Sequence, residues 1–161
     1  MKKIIAVLIS FISILSLCGC DKKVTQEETT EPEISSQAPV ETTLETISGI
    51  LYATVNGENK TNDFYCSGGT ITPERIAAGF TGWTGIDFGL SSSIDEENKT
   101  MTLNFRNSSA VVTKELEANA GFEFQTYDEL QNFILESLRE TIKKNIGDYE
   151  ITFTVDGKAI G

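Results

Sequence analysis

The sequence predicts an α+β domain in which helices cover one face of a mixed β-sheet. Apolar side chains recur every three or four residues over 127–145, which predicts one long amphipathic helix. Apolar and polar residues alternate over 101–106 and 149–155, which predicts strands with one buried face. Because helical and strand patterns are interleaved along the chain, we expect a two-layer sandwich with about four to five strands, one long helix and one or two short helices.

The first predicted element is a strand over 49–55. Asn56 and Gly57 follow it, and this pair is a strong signal for a tight hairpin turn. A second short apolar run, 64–66, ends at two glycines. We expect the order to be one strand, a short helix, a hairpin, the long helix and a last strand.

A short helix is predicted to begin after Thr72. Threonine at the N-cap, Pro73 at the first helical position and Glu74 in the first turn are consistent start signals. Glycines at positions 79, 82 and 85 predict that the helix ends early and that a glycine-rich loop follows over 79–85.

The clearest hairpin pattern comes next. Ile86, Phe88 and Leu90 alternate with polar or small residues, the acidic segment 95–98 forms a polar turn, and a second alternating strand follows over 101–105. A solvated turn explains the acidic segment better than a calcium loop, because it lacks the spaced acids and central glycine of an EF-hand. A weak helical pattern covers 109–118.

The long helix has start and stop signals at its ends. Thr126 and Glu129 match a capping box, and Gly147 is placed to terminate the helix near Asn145. The strand over 149–155 follows, so the helix is expected to bring this last strand back beside an earlier one.

The N-terminus predicts a secretory signal. Lys2 and Lys3 precede an apolar run over 4–17, and small residues lead to Cys20. The pattern resembles a bacterial lipobox, in which the cysteine becomes the lipidated N-terminus, and Cys20 fits better than Cys18 because it follows a glycine rather than a leucine. We expect a lipoprotein signal peptide at 1–19 and a protein held by acyl chains on the extracytoplasmic face of a bacterial cytoplasmic membrane.

Composition divides the remainder into a tether and a domain. Residues 20–46 are rich in glutamate and threonine and poor in large apolar side chains, which predicts a disordered acidic tether after the lipidated cysteine. From residue 47 to 161 the composition is that of a single globular domain.

Charge and composition exclude several functional classes. Removal of the signal peptide takes away two lysines and no acidic residue, so the net charge changes from −11 to −13, which argues against nucleic-acid binding. The chain has no histidine, so it cannot build a Ser-His-Asp triad, a Cys-His pair or a histidine-bearing zinc site. Cys66 lies in a short apolar run and is expected to be a buried, inert residue. We expect no enzyme activity, no cofactor and no metal.

Three stretches of the domain resemble a known family. They are 81–90, with its Trp-Thr-Gly-Ile-Asp-Phe sequence, the strand 101–105 before Asn107, and 138–157, where a helix leads into a strand that ends in Val-Asp-Gly. These stretches resemble the GerMN domain of spore-formation, germination and other Gram-positive envelope lipoproteins. The resemblance implies an α/β domain without a catalytic constellation that mediates protein assembly in the envelope. The sporulation members carry two copies and this chain has one, so the resemblance leaves a sporulation role open.

The candidate binding surface is the middle of the glycine-rich segment: Phe80, Thr81, Gly82, Trp83 and Thr84. An exposed Trp83 would stack on a sugar ring or anchor a protein contact. In the alternative, Trp83 folds back and closes the core. Strand addition at a sheet edge is a further way to bind, and it needs no special side chains. The leading hypothesis is a non-catalytic assembly module for envelope proteins, and the alternative is a lipoprotein that binds a sugar or cell-wall fragment.

Overall fold

The computed structural model describes residues 45–161. The predicted signal peptide at 1–19, the lipidation site at Cys20 and nearly all of the predicted tether lie outside the described residues. The elements, in chain order, are β1 (Thr46–Val55), β2 (Glu58–Ser67), α1 (Pro73–Thr84), β3 (Leu90–Asp95), β4 (Thr100–Phe105), α2 (Ala110–Thr113), α3 (Tyr127–Asn145), β5 (Glu150–Val155) and β6 (Lys158–Ile160).

These elements confirm the α+β prediction. Strands β3, β4, β5 and β6 form one mixed sheet in that order, with β4 and β5 parallel and the other pairs antiparallel. Helices α2 and α3 lie between the two parallel strands in the chain, so β5 does return beside an earlier strand. Strands β1 and β2 form a separate two-stranded sheet. Apolar side chains of both sheets and all three helices meet in one buried core.

The predicted turn at Asn56 and Gly57 is confirmed, and it joins β1 to a second strand, β2, that was not expected. Both residues have positive φ angles, 52° and 81°, which is the conformation that a two-residue hairpin turn requires. Strand β2 is ten residues long, although its apolar run covers only three. Its first half is polar and exposed, and it is a strand because its backbone pairs with β1.

Helix α1 is longer than predicted, because it continues through Gly79 and Gly82 and ends only at Gly85. The C-cap Gly85 adopts a left-handed conformation with φ of 77°. At Gly79 an added Cβ atom would lie 3.3 Å from Leu51 Cδ1, so the missing side chain lets the helix pack closely on the hairpin. This packing offsets the cost of about 1 kcal/mol that a glycine imposes on a helix interior.

The predicted strand over 86–91 is wrong, because β3 begins at Leu90. Ile86 and Phe88 are nevertheless buried. Their backbone N–H groups donate to side chains of α1 rather than to a neighbouring strand, Ile86 to Thr84 Oγ1 at 3.2 Å and Phe88 to Thr81 Oγ1 at 3.1 Å. Alternating burial therefore arises in a connecting segment that is anchored to a helix.

The other predictions are confirmed in type and differ in extent. The turn after β3 is held by Asp95, whose carboxylate accepts N–H bonds from Glu97 and Asn98 at 3.0 Å each. The weak helix predicted over 109–118 is the single turn α2, which ends where Lys114 adopts a φ of 63°. Helix α3 has the predicted bounds and a complete capping box. Strand β6 was not predicted, because three residues give no periodic signal.

Glu74 of α1 holds the outer edge of β3. Its Oε1 atom accepts hydrogen bonds from the Ser92 N–H at 2.7 Å and from the Ser92 hydroxyl at 2.6 Å. Partial burial raises the pKa of Glu74, but hydrogen bonds from Ser92, from Thr72 and from the backbone of Glu74 itself together outweigh it and hold the pKa below its ordinary value of 4.5. The ionised carboxylate is therefore the form that stabilises the fold.

We predict that the contribution of Glu74 is lost in acid. Because its pKa is lower in the folded state, its stabilisation is complete above pH 4.5 and disappears as the pH falls through the folded pKa. Glu74→Gln should lower the free energy of unfolding by about 1 kcal/mol at pH 7 and by less at pH 3, measured by urea unfolding. Glu117→Gln, at an exposed position, is the control. An equal loss at both pH values would contradict this role.

Candidate functional site

The sequence-predicted binding residues lie on the second half of α1, so the prediction of a loop is wrong. Phe80 and Thr84 are fully buried. Gly82 is exposed, and Thr81 and Trp83 are half-buried. The helix continues through this segment to the cap at Gly85, and the hydroxyl of the buried Thr84 is satisfied within the helix by donating to the Phe80 carbonyl at 2.8 Å. Phe80 and Thr84 are therefore positioned for packing rather than for contact with a ligand.

Trp83 packs on the core with other aromatic residues. Its ring is stacked near Phe80, with centroids 6.1 Å apart, and meets Phe122 edge-on at 5.1 Å. Asn119 donates to the Trp83 carbonyl at 3.0 Å, which fixes the backbone at this point. This geometry agrees with the alternative in which Trp83 folds back against the domain.

Helix α3 covers one edge of the β1–β2 hairpin. The Ile50 N–H donates to Asn145 Oδ1 at 3.1 Å, and Asn145 Nδ2 donates to the Ile50 carbonyl at 2.8 Å. The Tyr52 N–H donates to Thr141 Oγ1 at 2.9 Å, and that hydroxyl lies 3.3 Å from the Tyr52 carbonyl. Four residues of helix rise about 6 Å and two residues of strand about 6.6 Å, so the two spacings match. Side chains of α3 thus take the place of a neighbouring strand.

The opposite edge of the hairpin is free. Residues that face each other across an antiparallel pair point their N–H groups either both inward or both outward. Tyr52 and Ile50 point away from β2, so their partners Thr61 and Asp63 point away from β1. By alternation Asn59, Tyr65 and Ser67 also point outward. Among the described residues none accepts a hydrogen bond from these five N–H groups, and all five residues are exposed.

The solvent face of the hairpin carries aromatic and apolar side chains beside this edge. Tyr65 is 70% exposed and Ile50 40% exposed. Tyr52 lies under the ammonium group of Lys144, 3.9 Å from the ring centroid. Asp63 lies opposite Ile50 in the strand register. The free edge therefore borders a surface that presents one exposed tyrosine and one carboxylate.

A groove of about 340 Å³ runs between β2 and α1 on the inner side of the same edge. Its floor includes Phe64, Cys66 and Gly79, and the exposed Ala78 forms part of its wall. Arg75 closes one end, where its guanidinium donates to the carbonyl of Thr70 at 2.9 Å and to that of Gly68. Cys66 is a free, buried thiol in this floor. Apolar and small residues thus line a recess directly beside the free backbone groups.

A second groove, of about 360 Å³, lies where the hairpin turn meets α3. Phe124 and Phe133 line it together with two carboxylates. Glu129 accepts hydrogen bonds from the backbone N–H groups of the capping box, and Glu136 pairs with Arg139. Both carboxylates therefore have structural partners.

Within residues 45–161, no group of three or more His, Cys, Asp or Glu side chains is arranged to hold a metal ion. No helix in this part of the chain is long and apolar enough to cross a membrane. Comparison of the chain with protein-family models, with curated proteins and with solved structures finds no match. On the geometry of the described domain, the candidate site is the free edge of β2 together with the groove beside α1.

We predict that Trp83 stabilises the fold and does not bind a partner directly. Trp83→Ala should lower the free energy of unfolding by about 2 kcal/mol, because it removes contacts with Phe80 and Phe122 and leaves a cavity. Chemical unfolding followed by circular dichroism measures this loss. Gly82→Ala, in the same helix with open space around it, is the control and should not destabilise the protein. An unchanged stability for Trp83→Ala would restore Trp83 as an exposed contact residue.

Proposed function

We propose that this chain is a membrane-anchored envelope lipoprotein whose domain binds another protein and catalyses no reaction. The partner donates an extended segment that pairs with the outer edge of β2 as an added strand. One observation carries the proposal, namely that the ten-residue strand β2 leaves the N–H groups of its outward residues exposed and without acceptors in the described part of the chain.

Free strand edges are a liability for a soluble domain, because they pair with any available strand, and proteins usually cover or shorten them. The other strand edges in the described domain are bonded at some positions or are short. The β1 edge is bonded at Ile50 and Tyr52 by Asn145 and Thr141, the β3 edge is bonded at Ser92 by Glu74, and β6 is only three residues long. The outer edge of β2 is the long edge that has no such side-chain acceptor for its N–H groups in the described residues, which supports a binding role for it.

Strand addition also explains how a domain without reactive side chains recognises a partner. Each new backbone hydrogen bond contributes about 0.5–1.5 kcal/mol net, and side chains on alternate positions add specificity. The groove beside α1 and the solvent face with Tyr65 flank the free backbone groups on either side. Both faces of an added strand would thus contact this domain.

The N-terminal sequence supports a location at the membrane. Acyl chains on Cys20 would anchor the protein on the extracytoplasmic face, and the acidic tether over 20–46 would separate the domain from the lipid surface. The acidic composition argues for attachment through lipid rather than through basic residues. Partners in this setting are other envelope proteins, and the resemblance to the GerMN domain points to the same class.

We predict that proline at position 61 abolishes partner capture. Thr61→Pro removes one outward N–H group and retains the pairing of β2 with β1, because proline is tolerated where the N–H of an edge strand faces solvent. The lipidated protein is crosslinked in cells and purified, and recovered envelope proteins are quantified. Their recovery should fall about tenfold, the equivalent of about 1.4 kcal/mol of binding free energy.

Thr54→Pro is the matched control, because it removes an outward N–H group on the opposite edge of the same hairpin. It should leave recovery unchanged, and both variants should melt at similar temperatures. Equal recovery with Thr61→Pro and the unaltered protein would exclude the edge of β2. If the unaltered protein recovers no envelope protein at all, the assembly role is wrong, and a sugar or cell-wall fragment becomes the leading target.

A further inference from the structure

We infer that the segment that adds to β2 carries Lys or Arg opposite Asp63 and small aliphatic side chains at the neighbouring positions, which face the groove. This inference rests on the proposed function and specifies the chemistry of the partner. It follows from the charge of the free edge and from the groove beside that edge.

Asp63 is the only charged residue among the five that point their backbone outward from β2. It is exposed, and it has no ion-pair partner within residues 45–161. Lys60, the cation on the same strand, is engaged elsewhere, because its ammonium donates to the Gly121 carbonyl at 2.7 Å. Lys144 lines the same recess as Asp63, but its ammonium pairs with Glu140 at 2.8 Å. The Asp63 carboxylate is therefore available to a partner, and an opposite charge directly across a strand pair is stabilising.

The groove between β2 and α1 determines which side chains the added strand needs on its inner face. Successive side chains of an added strand point to opposite faces, so the residues opposite Phe64 and Cys66 point toward α1. There they meet the groove lined by Phe64, Cys66 and Ala78, a surface of apolar and small side chains. Gly79 also lines this groove and adds no side chain to it. Aliphatic side chains fit this recess.

A second copy of this chain would supply neither a positive charge opposite Asp63 nor aliphatic side chains for the groove. Two β2 strands paired antiparallel about Asp63 would place two carboxylates opposite each other, which is destabilising. The side chains that such a copy would offer to the groove include those of Lys60 and Asn62, which are polar. The chain also carries a net charge of −11, so two copies repel each other. A different, basic protein is the occupant that fits.

A synthetic peptide tests the chemistry directly. The probe is amidated Thr-Val-Thr-Val-Lys-Val-Thr-Val-Thr with a fluorescein on its N-terminus, and its sequence reads the same in both directions and so suits parallel or antiparallel pairing. The matched peptide has Glu in place of Lys. Binding to the lipidated chain in detergent is measured by fluorescence anisotropy at low salt. The Lys peptide should bind about three- to tenfold more tightly than the Glu peptide, and Asp63→Lys should reverse the order.

The groove has its own pair of variants. Ala78→Phe places an aromatic side chain in the groove and should weaken binding of the Lys peptide by about tenfold or more, the equivalent of about 1.4 kcal/mol. Ala159→Phe makes the same change at an exposed position on β6 and should have no effect. Equal binding by both variants would overturn the assignment of this groove.

The outcomes separate this inference from the proposed function. If both peptides bind equally, Asp63→Lys changes nothing and Thr61→Pro abolishes binding, then strand addition stands and the basic chemistry is wrong. If the Lys peptide binds Thr61→Pro as tightly as the unaltered chain, strand addition at β2 is itself wrong. If neither peptide binds and the chain forms dimers that Thr61→Pro dissociates, a second copy is the occupant and the inference is overturned.

Discussion

Thr141 and Asn145 of helix α3 bond the backbone of Ile50 and Tyr52, and the arrangement of the hairpin depends on these hydrogen bonds. These bonds hold the β1–β2 hairpin along a helix instead of along the four-stranded sheet. They also determine which edge of the hairpin has hydrogen-bond partners and which edge remains free. Leu51 is buried in the common core, so the apolar face of the hairpin packs there as well.

Local signals predicted much of the fold. The capping box at Thr126 and the terminating Gly147 predicted both ends of α3, and the Asn56-Gly57 pair predicted the end of the first strand. Predictions failed where tertiary contacts outweigh local preference. Glycines stay helical in α1 because Gly79 packs on the hairpin, and the segment around Phe88 is held by a helix side chain rather than by a strand. The covered edge of β1 could not be predicted, because it depends on the meeting of residues about ninety positions apart.

The candidate site differs from the predicted one because tertiary contacts again outweigh the local pattern. The sequence drew attention to Trp83, since exposed aromatics are common in binding surfaces, but its ring packs against Phe80 and Phe122. The edge of β2 was not found, because a free edge is a property of backbone pairing and the residues 58–63 are ordinary polar ones. The sequence indicated only that strand addition is possible in a domain of this type, and it did not indicate which strand has a free edge.

Amide hydrogen exchange, measured residue by residue on the purified protein, tests most directly whether one edge of the hairpin is covered and the other free. The account predicts that the amides of Ile50 and Tyr52 exchange at least about 100-fold more slowly than those of Thr61 and Asp63, although all four point away from the hairpin's own ladder. Similar exchange rates for the two pairs would contradict it. In that case the amides of β2 would also be hydrogen-bonded, or those of β1 would not be bonded by α3, and the two edges would not differ.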